Sequence, residues 1–349
     1  MITPIIDEKA IERLRAMING VQRIAITCHK SPDGDALGST LALCHVLRRL
    51  GKDAVVVTPD MAPRSLEFIP GVHDIVVFTK HELRARHVLQ EAQLICCLDF
   101  NAMKRIDRLA EIIEPLKTPR VLIDHHLGPE DVFDLAISFP EASSTCELVF
   151  RVLMQLGLLK FMDRYTASCL YVGLLTDTGG FAYSCENPEF YEIVASVMRR
   201  RFDRITLYNK AMNTFSADSL RLQGYAINEK MELYPECGVA LITLDKEELE
   251  RFNYNRGDTE TLVNKPLAIP GIYWSVFMRE DADKIKLSCR SQGDFSVSDI
   301  CEHYFNGGGH KNAAGGEFDG TIDEAVQVFH QVLADLFPDV TEQKTEEQQ

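Results

Sequence analysis

Apolar residues in this chain follow two rhythms, and the alternation between them predicts the architecture. The opening MITPIIDEKAIERLRAMING sets apolar positions at helical spacing among acids and bases. Val21–Cys28 (VQRIAITC) is then short, β-branched and nearly continuously apolar, the pattern of a strand buried on both faces. A polar stretch, HKSPDGDALGS, with Pro32, Gly34 and Gly38, reads as a loop; helical spacing resumes over Thr40–Leu50 until Gly51 stops it. Further strands are predicted over Asp53–Thr58, Ile75–Phe78, Ala92–Leu98 and Arg120–Ile123, with helical segments around Leu83–Leu89 and Lys104–Leu116. Such alternation implies an α/β fold with a mostly parallel sheet flanked by helices, which takes ligands at the carboxyl ends of its strands.

Helical spacing continues over Ser144–Gly157 and Tyr165–Leu175, and Ser144 with Glu147 has the spacing of a capping box. A polar helical stretch from Pro188 to about Phe215 is the expected interdomain connector, with the boundary near residues 190–220. Beyond it, strand-like runs at Val239–Leu244, Ile272–Met278 and Ile285–Cys289, then a helix at Ile322–Leu336, predict a smaller C-terminal α/β domain. The end, TEQKTEEQQ, lacks apolar residues and is expected to be disordered. The division expected is a first domain over 1–190, a helical linker over 191–218, a second domain over 219–338 and a tail over 339–349. At 349 residues the chain exceeds what one core usually holds, which agrees with two domains.

Composition narrows the partners. With 46% hydrophobic and 26% charged residues the chain has the make-up of an ordinary globular protein. No signal-peptide pattern opens it, and no run of about 18 apolar residues predicts a membrane span. The ten cysteines, among them Cys28, Cys44, Cys96, Cys97 and Cys169, sit mostly in apolar stretches without a CxxC pair. They are expected to be reduced, buried small hydrophobes in a cytoplasmic protein. A net charge of -15 argues against a broad basic surface for long nucleic acid. A small phosphate compound remains compatible if metal ions and a few Lys or Arg residues supply local positive charge.

Candidate chemistry falls at the predicted strand ends. His29, Asp33 and Asp35 lie within seven residues after the first strand, where two carboxylates and an imidazole can converge on divalent cations. Pro, Asp and Gly also form plain turns, so this block alone is ambiguous. Asp99 ends the apolar run LICCL and is either a cap or a ligand aimed into a crevice. Asp124, His125 and His126 follow VLI; three titratable groups at the exit of a buried strand are costly unless paired or coordinated. Asp177, in YVGLLTDTGGF, could merely end a helix. Metal-competent groups at the ends of several elements on one sheet edge nevertheless suit a pair of cations bridged by a carboxylate. In the second domain FNGGGHKNAAGG, residues 305–316, could bring backbone N–H groups to an anion through Gly307, Gly308 and Gly309, with His310 and Lys311 nearby. A glycine-rich turn without ligand is the alternative. Ser288 and Arg290 occupy alternate positions of KLSCRS and so project from one strand face.

Together these blocks resemble the DHH phosphoesterase family, whose first domain carries HxxPDxDALGS, a strand-end Asp, DHH and a TDTG block, joined to a DHHA1 domain with GGGHxxAAG. The resemblance covers nearly the whole chain outside the tail and points to the branch of bifunctional oligoribonucleases (nanoRNases) and pAp phosphatases of the NrnA type. It implies a catalytic metal-binding first domain, a substrate-binding second domain and a cleft between them. It implies two manganese ions, with magnesium or cobalt as substitutes, on His29, Asp33, Asp35, Asp99, His125 and Asp177. Asp99 would bridge the ions, and Asp124 and His126 would orient the ligands. Ser288, Arg290, Gly307, Gly308, Gly309 and His310 would grip substrate. The activity implied is hydrolysis, by metal-activated water, of short RNA or DNA oligonucleotides to 5′-mononucleotides and of 3′-phosphoadenosine 5′-phosphate (pAp) to AMP and phosphate. The rival enzymatic reading is a cyclic-dinucleotide or linear dinucleotide phosphodiesterase. A RecJ-like exonuclease fits the acidic charge poorly, and a pyrophosphatase would carry a different second domain. A non-catalytic nucleotide-binding sensor is the rival from another class. A homodimer is left open. Phe100, after Asp99, departs from the small or hydroxyl residue commoner in the family and is expected to alter pocket shape.

Overall fold

A computed structural model of the chain describes residues 2–255, 257–281 and 284–338, and the chain divides into two compact units, residues 1–214 and 215–349. The tail expected to be disordered lies outside the described residues.

The first unit carries strands β1 (Arg23–Thr27), β2 (Asp53–Thr58), β3 (Val76–Val77), β4 (Leu94–Leu98), β5 (Arg120–Asp124) and β6 (Leu135–Ser138). Its helices are α1 (Glu8–Asn19), α2 (Gly34–Arg49), α3 (Glu82–Glu91), α4 (Ala110–Ile113), α5 (Thr145–Gln155), α6 (Arg164–Asp177), α7 (Pro188–Met198) and α8 (Arg204–Met212). The strands form one sheet in the order β3-β2-β1-β4-β5-β6, every neighbouring pair parallel. Both faces are covered, as the near-continuous apolar strands require. Ile24, Ile26, Leu94, Cys96, Leu98 and Ile123 pack on one side with α1, α2, α5, α6 and α7. Ala25, Ile95, Cys97 and Leu122 pack on the other with Ala85, Leu89, Ile106 and Ile113. The chain winds outward from β1 to β3, returns to the middle and winds the other way from β4 to β6. The connections therefore leave β1 and β4 in opposite directions, and that switch point is where a crevice opens at the carboxyl ends of such a sheet.

Several boundaries differ from the sequence reading. Helix α2 begins inside the stretch read as a loop, because Asp33 caps it by accepting from the N–H groups of Asp35 and Ala36 at 3.0 and 2.9 Å. The helix expected over Lys104–Leu116 is broken: a 3₁₀ segment, Met103–Leu109, reaches positive φ at Asp107 before α4 begins. The capping box on α5 is half formed. Ser144 accepts from the Glu147 N–H, but the Glu147 carboxylate reaches Ser143 N at 2.9 Å, drawn there by Arg151, whose Nε donates to it at 2.8 Å. Strand β6 lies in a stretch for which the apolar pattern predicts no element. The stretch expected as a connector contains α7 and α8, whose Phe190, Ile193, Val194 and Val197 are buried in the first core, with Tyr208 and Met212 packed against it. Burial of those side chains places residues 191–214 in the first unit.

The second unit comprises α9 (Ala217–Glu229), β7 (Met231–Tyr234), β8 (Val239–Leu244), α10 (Lys246–Arg251), β9 (Trp274–Asp281), β10 (Lys284–Ser291), α11 (Val297–Tyr304), β11 (Gly308–His310), β12 (Ala313–Phe318) and α12 (Ile322–Leu336). Its sheet runs β11-β12-β10-β9-β8-β7, antiparallel except for β8 beside β9. Trp274, Val276, Leu287 and Cys289 face α11 and α12 in one core, while Ile242, Leu244 and Phe277 join Leu222 and Ala226 of α9 in another. All ten cysteines are free and buried. Among the described residues no helix is long and apolar enough to cross a membrane.

Candidate metal centre

The candidate ligands of the first unit meet at the switch point. His29 leaves the end of β1, Asp99 the end of β4, and Asp124, His125 and His126 the end of β5. Asp33 and Asp35 open α2, and Asp177 is the last residue of α6.

Two groups of donors form around the Asp99 carboxylate. Oδ2 of Asp99 faces His29 Nε2 at 3.4 Å, and the same nitrogen lies 3.7 Å from Asp33 Oδ2. Oδ1 of Asp99 faces His125 Nε2 at 3.6 Å, and that nitrogen lies 3.4 Å from Asp177 Oδ2. These separations exceed the roughly 2.7–3.2 Å of a nitrogen-to-oxygen hydrogen bond. The groups surround common points instead of pairing off, and ligand atoms of His29, Asp33 and Asp99, and of Asp35, His125 and Asp177, lie within 4.8 Å of one another. The other ring nitrogens are anchored to backbone: Nδ1 of His29 donates to the Lys30 carbonyl at 2.8 Å and Nδ1 of His125 to the Ala142 carbonyl at 3.3 Å. A backbone carbonyl on Nδ1 fixes the ring orientation that aims Nε2 at the carboxylates.

His126 is placed differently. Its Nδ1 bonds Asp124 Oδ1 at 2.7 Å and stands 3.8 Å from Asp99 Oδ1. Asp124 is fully buried, and its Oδ2 has no hydrogen-bond partner among the described residues. An unsatisfied buried carboxylate oxygen costs about 1–3 kcal/mol or more, so a cation or a water belongs beside it.

Charge separates the acids. Burial raises the Asp35 carboxyl well above its usual range, and the negative charges of Asp99 and Asp177 raise it further. Burial also pushes Asp99 upward, but the facing His29 imidazole and the positive charge of His29, His125 and His126 hold it far below the ordinary value. Burial lowers His29, yet the facing carboxylates and negative charge of Asp33 and Asp99 outweigh it and keep the imidazole well above the usual histidine range. A crowd of carboxylates that a histidine must neutralise by holding a proton is a site short of positive charge.

Asp99 itself has φ of 63°, a conformation in which Asp and Asn are enriched among non-glycine residues. The turn sends Phe100 away from the site: it is fully buried in the core with α3 and α4, edge-on to Phe133 at 6.3 Å. The departure at Phe100 thus fills core space.

Sequence reasoning missed the supports. Thr145 N and Cys146 N, at the start of α5, donate to the two oxygens of Asp35 at 2.6 and 2.8 Å, and Thr145 Oγ1 donates to Asp99 Oδ1 at 2.9 Å. Helices α2 and α6 cross at Gly38 and Gly173: a Cβ on Gly38 would lie 2.6 Å from the Cys169 carbonyl oxygen, and one on Gly173 2.2 Å from Cys146 Sγ. Only the glycines, visible in ALGS and YVGLL, signalled this close approach.

In the second unit the register aligns the expected substrate residues. His310, Ala313, Arg290 and Ser275 stand opposite one another across four strands, and Gly308, Gly315, Ser288 and Phe277 form a parallel row. Ser288 and Arg290 thus share a strand face and are half-buried. The glycines have steric duties as well. A Cβ at Gly307 would meet the Gly315 carbonyl oxygen at 2.0 Å and one at Gly309 the Ala313 carbonyl oxygen at 2.6 Å, whereas Gly308 has room. The stretch read as a glycine loop is largely the β11–β12 hairpin.

Comparison with known proteins agrees with this architecture. Residues 23–174 match the N-terminal domain of the DHH family, and residues 239–335 match the DHHA1 domain. The crystal structure of an exopolyphosphatase-related protein from Bacteroides fragilis is 42% identical, covers 97% of this chain and 99% of its own, and superposes with a TM-score of 0.93. The chain belongs to the DHH family of phosphoesterases. Among its relatives, a probable bifunctional oligoribonuclease and PAP phosphatase NrnA of Streptococcus mutans is 26% identical over 307 residues, 88% of this chain and 93% of that protein. The cyclic-di-AMP phosphodiesterase GdpP of Geobacillus thermodenitrificans is 26% identical over 93% of this chain, a match spanning 49% of that longer protein.

Proposed function

We propose that the chain hydrolyses phosphoester bonds of short oligoribonucleotides, giving 5′-mononucleotides, and of pAp, giving AMP and phosphate. The observation that carries this reading is Asp99, whose two oxygens face two separate donor groups. A bridging carboxylate between imidazole and carboxylate donors suits two divalent ions, manganese foremost, with magnesium or cobalt as substitutes. The fit is supported by the oxygen and nitrogen donor set and by the orphaned Asp124 Oδ2. His29, Asp33 and Asp99 would hold one ion, and Asp35, His125 and Asp177 with Asp99 the other. Bound there, the ions supply Lewis acidity to a phosphate oxygen and an acidified water.

The chain's own residues fix the geometry. Asp124 holds the His126 ring through Nδ1. The α5 N-terminus holds Asp35. In the second unit Arg290 carries a planar guanidinium suited to a phosphate, in one row with His310 and beside Ser288 and Gly308, which supports a substrate-binding role for this sheet. The relative from S. mutans supports the two substrates, and ten free, buried cysteines support a reducing cytoplasm.

The test is manganese-dependent phosphate release from pAp and mononucleotide release from a labelled diribonucleotide, comparing wild type with Asp99→Ala and His125→Ala. Turnover by wild type and loss of at least about 10³-fold in both variants is expected. A wild-type protein that binds these nucleotides yet hydrolyses neither overturns the reading. A second reading, cleavage of cyclic or linear dinucleotides, is favoured by the GdpP match, and turnover of such a dinucleotide well above that of pAp would select it.

A further inference from the structure

The two carboxylates most central to the site are tied to a single residue. Thr145, fully buried as the first residue of α5, donates its backbone N–H to Asp35 Oδ2 at 2.6 Å and its hydroxyl to Asp99 Oδ1 at 2.9 Å. Cys146 N completes the hold on Asp35 at 2.8 Å. The first N–H groups of a helix have no partner inside it, so Asp35 caps α5 from another helix.

We propose that Thr145 is a positioning residue that spaces Asp35 and Asp99 for the metal pair, its hydroxyl setting the plane of the bridging carboxylate. This rests on the two-metal reading above. A carboxylate rotates freely about its bond to Cβ unless something holds it. The hydroxyl bond to Oδ1 fixes that rotation, so that Oδ2 stays toward His29 and Oδ1 toward His125. The anchor is rigid in turn. Ser144 Oγ caps α5, the Glu147 carboxylate accepts from Ser143 N and from Arg151, and Arg151, itself buried, bonds Glu189 of α7 at 3.1 Å. A motion of the α5 start would displace both carboxylates together, so a single helix end sets their separation.

The test measures Mn²⁺ binding to the full chain by titration calorimetry and by electron paramagnetic resonance, where two ions sharing a carboxylate give an exchange-coupled signal. Wild type is expected to bind two ions with that signal. Thr145→Val keeps the shape and the backbone bond to Asp35 but deletes the hydroxyl. It is expected to bind manganese about 10- to 100-fold more weakly, with the coupled signal replaced by that of isolated ions. Thr145→Ser restores the hydroxyl and is expected to recover both. If valine prevents folding, judged by circular dichroism, Thr145→Ala adds no bulk and carries the same expectation. Wild-type affinity and coupling in the Val or Ala protein overturns the inference alone, as does a Ser variant no better than Val. A wild type that binds no ion pair overturns the two-metal reading and this inference with it.

Discussion

Asp35 passes so close to Gly173 that a methyl group added to the glycine would stand 2.8 Å from Oδ1 of the carboxylate. The same methyl would come to 2.2 Å from Cys146 Sγ. An alanine inside a helix normally stabilises it by up to about 1 kcal/mol over glycine, and here the crowding reverses the sign. Gly173→Ala should lower the melting temperature and, by displacing Asp35 and the start of α5, cut turnover by about 10²-fold. Thermal melts and initial rates on pAp check this; a rise in melting temperature with full activity would show that α2 and α6 do not need the contact.

Asp124 and His126 act on the site as a unit, since the ring is held by one oxygen of the carboxylate. Asp124→Asn and His126→Ala should each lower kcat about 10- to 100-fold. The double variant should be little worse than either single one, a coupling that a double-mutant cycle reads directly. Additive losses would mean the two residues serve separate ends.

Stability of the metal-free chain should fall as pH rises through neutrality. His29 is raised in the folded state, so its contribution is complete below about 6.5, the unfolded value, and is lost as pH climbs through the folded one. Asp35 is also raised, so its ionisation above the carboxylate range weighs further on the folded state. Asp99, depressed, opposes them only in acid, where its stabilisation is lost as pH drops from about 3.9. Manganese requires deprotonated ligands, so the gain in melting temperature on adding it should grow from pH 6 to pH 8. Melts with and without Mn²⁺ across that range check it, with each kcal/mol of difference shifting the midpoint by roughly 2–4 °C or less. A metal-induced gain independent of pH would contradict it.

Arg290 should govern substrate affinity and not the metal centre. Arg290→Ala is expected to raise KM for pAp about 10- to 100-fold while leaving Mn²⁺ binding unchanged, and Arg290→Lys should recover little, because a point charge does not reproduce a planar fork. Steady-state kinetics beside calorimetry separates the two effects; a fall in kcat at constant KM would place Arg290 in the chemical step.

Much of this was legible in the residues. Doubly buried strands such as LICCL are continuously apolar, so their ends, and the acids after them, could be marked, and the two-way winding then brings those ends together. What stayed hidden depends on tertiary contact. HKSPDGDALGS looked like a loop because its turn-forming Pro, Asp and Gly also begin α2 under the Asp33 cap. Thr145 carries no periodic or compositional signal; its bonds to Asp35 and Asp99 exist only because α5 begins against α2 and the end of β4. Phe100 looked like a departure within the site, yet the positive φ of Asp99 turns it into the core. The β11–β12 hairpin was invisible in FNGGGHKNAAGG because glycine, poor in strand propensity, is required there by backbone contacts that the sequence does not show.

A pair of cations sharing Asp99 is tested most directly by anomalous diffraction from a manganese-soaked crystal. Two peaks are expected, one ligated by His29 and Asp33, the other by Asp35, His125 and Asp177, with Asp99 binding both, and the peaks about 3.5–4 Å apart. A single peak, or ions that leave Asp99 uncoordinated, would contradict it.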